Sequence, residues 1–307
     1  MGKIQPSAVD KPSATLPEHS FPIGHAPALA RVGVLHHPKI AESHPLAGDI
    51  ATMLQTLGAQ VWVGSTWDED AVRAQIAQFD VLVTLGGDGS MLRAARMSAP
   101  HGVPILGINL GRLGFLTQVP RDEWQTWLPH VLAGGYRIEE RMMLHAESWR
   151  RQELLGEHDA LNDVVVSRGS LARVVRLHTH IDGGHLTQYV ADGLIVSTAT
   201  GSTAYALAAG GPILPPTLKN ILLIPIAPHL SMDRAIVLDQ GAMVDTRIVT
   251  DHQAILTVDG QFEFALMDGD HITVKASPHV ARFVRIYPPA HFYRTLMARL
   301  RPNGSSE

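Results

Sequence analysis

Asp88 stands as a lone carboxylate among glycines, in Gly86-Gly87-Asp88-Gly89, directly after the apolar run Val81-Leu82-Val83-Thr84-Leu85. That run reads as a strand buried on both faces. Three glycines in four positions open backbone conformations closed to other residues, and they let N–H groups approach a ligand with no side chain between. Ser90 to Arg96 then reads as a helix, so the loop lies at a helix N-terminus, where phosphate is favoured. Neither the G-x-x-x-x-G-K-[ST] nor the G-x-G-x-x-G spacing occurs. On these residues alone the loop is a tight turn or a phosphate cradle, the turn being the commoner case. A carboxylate repels a neighbouring phosphate unless it accepts a proton or holds a metal ion, which favours a chemical role for Asp88.

Two further groups have side chains suited to a ligand. Asn162-Asp163 precedes Val164-Val165-Val166. It is either an Asx turn entering a strand or an amide and a carboxylate aimed together at a ribose or an adenine. Asp192-Gly193 opens a stretch ending at Leu214, in which Ser197, Thr198, Thr200, Ser202 and Thr203 precede a helix starting near Ala204. Those hydroxyls serve as helix caps or as contacts to a polyhydroxylated ligand, with Tyr205 placed to stack or hydrogen-bond. Arg112, Arg141, Lys219 and Arg234 read as solvated surface charges, and only proximity to the glycine loop would make one a phosphate clamp. Histidines number 17, but H-E-x-x-H is absent and there is no cysteine, so a zinc site is disfavoured.

The elements around these residues change character along the chain. Residues 1–29 mix Pro, Ser, Ala and His without period and read as a disordered extension. Residues 30–141 alternate strand and helix patterns: strands at Arg31–Leu35, Ala59–Val63, the run before Gly86 and Val103–Asn109, with helices between. Such alternation implies a Rossmann-like α/β domain with a parallel sheet, whose ligands bind beyond the carboxyl ends of the strands. Residues 142–288 read as many short strands with period-two alternation and turns at Asp182-Gly183-Gly184, Asp259-Gly260 and Asp268-Gly269. The expectation there is a β-sandwich-like second domain. Residues 289–307 have helical spacing and form a tail that returns to the first domain.

Composition narrows the function classes. With 45% hydrophobic and 18% charged residues, the 307-residue chain has an ordinary globular balance. A net charge of −4 argues against gripping nucleic acid or an anionic membrane through bulk charge. No run approaches the ~18 apolar residues of a membrane span, and the lack of cysteine suits a reducing cytoplasm.

Several separated motifs together resemble the NAD kinase family over nearly the whole chain after about residue 30. LGGDGSML resembles the family's GGDG loop, with Ser90 where many members have Thr. GINLGRLGFLT, containing Asn109, Arg112 and Phe115, resembles the strand and loop that follow. Arg141-Met142-Met143-Leu144, Asn162-Asp163, the Asp192–Leu214 stretch and Asp259-Gly260-Gln261 are similar to later family motifs, with Ala199 where Pro is usual. The resemblance implies transfer of the γ-phosphoryl of ATP to the adenosine 2′-hydroxyl of NAD, with a divalent cation, Mg²⁺ above all. It makes Asp88 the base and places Gly86, Gly87, Gly89, Asn109 and Arg112 at phosphates. Asn162, Asp163, Thr200, Thr203, Ala204, Tyr205 and Gln261 would line the dinucleotide pocket, with Phe115 on adenine and Asp192 on the nicotinamide side. It further implies a homo-oligomer, dimer or tetramer, whose sites borrow residues from a neighbour. Lipid kinases sharing the loop, and a non-catalytic NAD(P)-binding regulator, are the alternatives.

Overall fold

The buried run Val81–Gly86 is the inner strand of a parallel sheet that ends at the glycine loop. A computed structural model describes residues 20–111, 114–169, 173–229 and 232–300. Its first part runs β1 (Arg31–His36), α1 (Ser43–Thr56), β2 (Gln60–Ser65), α2 (Glu69–Gln75), β3 (Val81–Gly86), α3 (Asp88–Ser98), β4 (Ile105–Asn109), β5 (Val119–Pro120) and α4 (Trp124–Leu132). β2, β1, β3 and β4 lie side by side, all parallel. Ala47, Ile50 and Leu54 of α1 pack with Trp127 and Leu128 of α4 on one face, and Val72 of α2 with Met91, Leu92 and Ala95 of α3 on the other. Burying each of the larger of these side chains stabilises by roughly 1.5–3 kcal/mol. Because both faces are covered, β3 and β4 are apolar nearly throughout and cannot carry reactive side chains except at their ends.

The second part runs β6 (Arg137–Arg150), β7 (Glu153–Ala160), β8 (Asp163–Arg168), β9 (Val175–Ile181), β10 (Gly184–Ala191), β11 (Gly193–Thr198), α5 (Tyr205–Ala208), β12 (Asn220–Ile226), β13 (Ile236–Asp239), β14 (Val244–Val249), β15 (Ala254–Val258), β16 (Phe262–Leu266), β17 (His271–Arg285) and α6 (His291–Leu300). Among the described residues, β13-β12-β11-β8-β15-β16 form a 6-stranded antiparallel sheet. It packs face to face on β6, β9, β14 and β17 through a shared core that includes Val164, Val166, Leu194, Val196, Leu177 and Ile272. The sandwich-like expectation holds.

Two features depart from the sequence reading. The strands are not all short: β6 has 14 residues and β17 has 15, and the two pair antiparallel along most of their length. Pairing shifts register between Ala276 and Val280, where Pro278 has no N–H to donate. β17 also joins β4 in parallel at Phe283 and β14 antiparallel at Val244–Val274, so among the described residues a single 11-stranded sheet spans both parts of the chain. Residues 20–29, assigned from sequence to the disordered extension, are tied to the end of α4. Gly24, Ala26 and Leu29 donate to the carbonyls of Ala133, Gly134 and Leu132, and Leu29 is buried there. Residues 1–19 lie outside the described residues. At the other end, Phe292 of α6 approaches Phe115, with ring centroids 6.2 Å apart.

Candidate active site

β3 delivers Gly86 with φ +150°, where an added Cβ would strike the Ser90 hydroxyl, so only glycine makes this turn. Gly87 caps α3 and Asp88 is its first residue. The Gly87 carbonyl accepts the Ser90 and Met91 N–H groups at 3.0 and 3.2 Å, and the positive end of the helix dipole at Asp88 and Gly89 favours an anion there. Asp88 does not point freely into solvent. Its Oδ2 accepts the Phe115 N–H at 2.9 Å and its Oδ1 the Leu116 N–H at 3.0 Å. A Cβ on Gly114 would overlap Asp88 Oδ1, so that glycine is required for the close approach of the two loops. Each carboxylate oxygen retains a second lone pair for a hydroxyl proton.

The β15–β16 hairpin carries the second part of the chain to this loop. Asp259 and Gly260 turn with φ of 51° and 61°, both positive, as a tight hairpin requires. Gln261 then donates from Nε2 to the Gly89 carbonyl at 2.8 Å and accepts Arg96 Nη1 at 3.0 Å. Arg96 in turn bonds Glu69 at 3.0 Å and lies 4.3 Å from the Phe262 ring centroid. Asp259 reaches back to accept the N–H groups of Leu161, Asn162 and Asp163 at 2.9, 2.7 and 3.1 Å. The Asn162 carbonyl accepts the Ser197 hydroxyl at 3.0 Å and the Thr198 N–H at 2.8 Å, and Gly201 packs against it too closely for any side chain. An unbroken set of contacts thus joins Asp88, Gln261, Asn162-Asp163 and the hydroxyl-rich turn before α5.

Burial, reinforced by the Asp259 charge, pushes the Asp163 carboxyl up to about 7. Between the ordinary value of 3.8 and about 7 the folded protein holds a proton that the unfolded chain has released. Stability from this group is full at low pH and falls as pH rises towards 7. Asp163→Asn is expected to remove that slope. Thermal unfolding of both proteins between pH 4 and 8 checks it, and parallel curves would disprove the assignment.

Other expected residues fall as follows. Asn109 is buried in register with Gly86 and donates to the Gly111 carbonyl at 2.7 Å. Thr200 is buried with no partner for its hydroxyl among the described residues, Thr203 donates to the Thr200 carbonyl at 3.3 Å, and Tyr205, beside Ala204, is 47% exposed. Asp192 is not brought to the cluster: it precedes β11 at the end opposite Ser197 and pairs with Arg168 at 2.9 Å. The intervening strand separates it from Thr198 by ~20 Å. Arg112 lies outside the described residues. Arg141, expected as a solvated cation, is instead 4% exposed and bonded to Glu139, because both point inward from β6.

Beside the loop lies a cleft of about 270 Å³ lined by His37, Ile40, Trp67, Gly87, Gly89, Ser90, Arg93 and Gln261. Lys39 Nζ and Arg93 Cζ sit 4.5 and 5.3 Å from the Trp67 ring centroid. Trp67, Lys39 and Arg93 were not singled out from sequence; only their places just after predicted strands or in the helix after the glycines could have marked them. A larger cavity of about 890 Å³, lined by Arg150, His180, Arg247 and His271 among others, contains none of these groups. The smaller cleft is the better candidate, since it lies at the carboxyl ends of parallel strands and at a helix N-terminus.

Residues 28–136 match the ATP-NAD kinase N-terminal domain and residues 161–286 the ATP-NAD kinase C-terminal domain. An NAD kinase of Chloroflexus aurantiacus is 42% identical over 89% of this chain and 99% of its own length. The chain belongs to the NAD kinase family. An NAD kinase of Dehalococcoides mccartyi is 37% identical, over 90% and 98% of the two chains. Among solved structures, yeast NADH kinase complexed with NADH superposes with a TM-score of 0.78 at 25% identity, over 91% of this chain and 90% of that one. An NAD kinase from Archaeoglobus fulgidus in complex with ATP superposes with a TM-score of 0.69 at 27% identity, over 88% and 98%. NAD kinase membership accounts for the two-part architecture and for the glycine loop at its centre. No helix among the described residues is long and apolar enough to cross a membrane.

Proposed function

We propose that this NAD kinase transfers the γ-phosphoryl group of ATP to the adenosine 2′-hydroxyl of NAD, giving NADP, with Asp88 as the base. The observation that carries the reading is Asp88 itself: a carboxylate at the positive end of α3, clamped by two backbone N–H groups and joined by contacts to Asn162 and Asp163. A ribose hydroxyl is too weak an acid to be deprotonated beforehand. Phosphoryl transfer has a loose transition state that asks chiefly for alignment, so Asp88 orients the hydroxyl and takes its proton late. Gly86, Gly87, Gly89, Asn109 and Arg112 are assigned to phosphates. Asn162 and Asp163 are assigned to the adenosine end, and Thr200, Thr203, Ala204, Tyr205 and Gln261 to the dinucleotide pocket with Phe115 on adenine.

A divalent cation, most simply Mg²⁺, would be held through the nucleotide's phosphates beside Asp88 and would supply charge neutralisation for the transferred group. The donor there suits such a cation: Asp88, the one carboxylate within the glycine loop, offers hard oxygen atoms. Residues 30–141 are assigned to the donor side and 142–288 to the dinucleotide. The opposite placement of Asp192 supports a homo-oligomer in which Asp192 serves a neighbour's nicotinamide side. In that case inactive Asp88→Asn and Asp192→Asn proteins, refolded together, recover part of the activity; a strictly monomeric active enzyme would exclude it. A cytoplasmic location suits a cysteine-free chain, and recovery in a membrane fraction would count against it.

The test is a coupled NADP assay with NAD, ATP and Mg²⁺, repeated with EDTA. NADP formation that EDTA abolishes is expected. Tight binding of NAD or NADPH without turnover would replace the enzyme by a dinucleotide-binding regulator.

A further inference from the structure

Four charged side chains converge behind the loop that clamps Asp88. Glu139 Oε1 accepts Arg141 Nε at 3.0 Å, Arg141 Nη2 at 2.8 Å and Arg285 Nε at 2.9 Å, while its Oε2 accepts Arg137 Nη2 at 2.8 Å. Arg141 and Arg285 also lie 5.0 and 4.6 Å from the Phe283 ring centroid. Arg285 is 2% exposed, and its Nη2 has no partner among the described residues. Three cations on one buried carboxylate is an expensive arrangement, and hydrophobic side chains of similar volume would serve stability as well or better. Its geometry offers another reason. Arg285 Nη1 donates to the Leu116 carbonyl at 2.7 Å, and the N–H of that same Leu116 donates to Asp88. Leu116 is gripped on both sides, by a guanidinium from the last residue of β17 and by the carboxylate of the glycine loop.

We propose that Arg285, oriented by Glu139, is a positioning residue for phosphoryl transfer: it fixes the Gly114–Leu116 turn whose N–H groups aim the Asp88 carboxylate at the acceptor hydroxyl. The proposal rests on the NAD kinase reading. Lysine at 285 keeps the charge but cannot bond Glu139 and Leu116 in the same fork. Arg285→Lys therefore lowers kcat by roughly 10- to 100-fold with KM for NAD and ATP within about twofold, since small misplacement of a reacting group has effects of this size. In an Asp88→Asn background the same change costs nothing further, whereas a merely structural role would lower both backgrounds alike. Hydrogen exchange supplies a readout that needs no activity: the Phe115 and Leu116 amides lose protection in Arg285→Lys. If the wild type makes no NADP, the kinase reading fails while the exchange result still judges the clamp. Should Arg285→Lys fold poorly, Gly114→Ala, whose Cβ displaces Asp88 Oδ1, is expected to lower kcat in the same way. Unchanged exchange at Phe115 and Leu116, additive losses in the double variant, or full kcat in Gly114→Ala would each overturn the proposal.

Discussion

Asp88→Asn is expected to lower NADP formation by roughly 10²- to 10⁴-fold while the protein stays folded. The amide copies the shape of the carboxylate but has one acceptor oxygen, so it keeps one of the two contacts to Phe115 and Leu116 and turns an NH₂ group towards the other. What is lost is basicity, since an amide oxygen is far too weak a base to take the hydroxyl proton. The cost to the fold is small by comparison: about 0.3–1 kcal/mol for the charge at the N-terminus of α3 and about 1 kcal/mol for a hydrogen bond. KM for both substrates is expected to stay within a few-fold, because the groups assigned to the dinucleotide and phosphates remain. Steady-state kinetics beside a thermal melt checks this. A variant with undiminished kcat would remove Asp88 from the proton transfer.

Glu139→Gln has the largest expected effect on stability, a loss of about 3–5 kcal/mol, because it leaves buried guanidiniums without their counter-charge. Glu139, Arg141 and Arg285 are 7%, 4% and 2% exposed, so bulk water screens their charges little. Burial by itself would raise the Glu139 carboxyl, but the charges of Arg285 and Arg141 and the bond from Arg137 override it and hold the group far below the usual carboxylate range. The sign is therefore opposite to that of Asp163. Stability from Glu139 is complete above the ordinary carboxyl value of 4.5 and is lost as pH falls through the depressed one. Urea unfolding at pH 7 should separate wild type and variant widely, and the gap should narrow on acidification below about pH 4. Equal midpoints at pH 7 would mean that the buried guanidiniums do not depend on the Glu139 charge.

Local physics made much of the site legible. A run of Val and Leu ending in three glycines cannot continue as strand, and Asp259-Gly260 between alternating apolar residues can hardly be other than a hairpin. What escaped reading was each residue's second role. Asp259 is also the acceptor for three N–H groups nearly a hundred positions earlier, and nothing in its neighbours announces that. Arg141 looked like a surface charge in isolation. Its inward direction could have been suspected, since Arg137, Glu139 and Arg141 recur at the period of two that puts them on one face of a strand. The burial of that face depends on β17, whose Arg285 joins the cluster from 146 residues away.

The sequence by itself determined the alternating α/β first part, the strand-rich second part, the glycine loop with its carboxylate and the family to which the chain belongs. These follow from neighbours a few residues apart, where periodicity, glycine and turn chemistry act. Only the tertiary structure decided that one sheet runs through both parts along β17, that Asp192 stands at the far end of β11, and that Asp88 accepts the Phe115 and Leu116 N–H groups, with Arg285 bonded to the Leu116 carbonyl. Those outcomes depend on pairing and burial between distant segments, which no local pattern encodes.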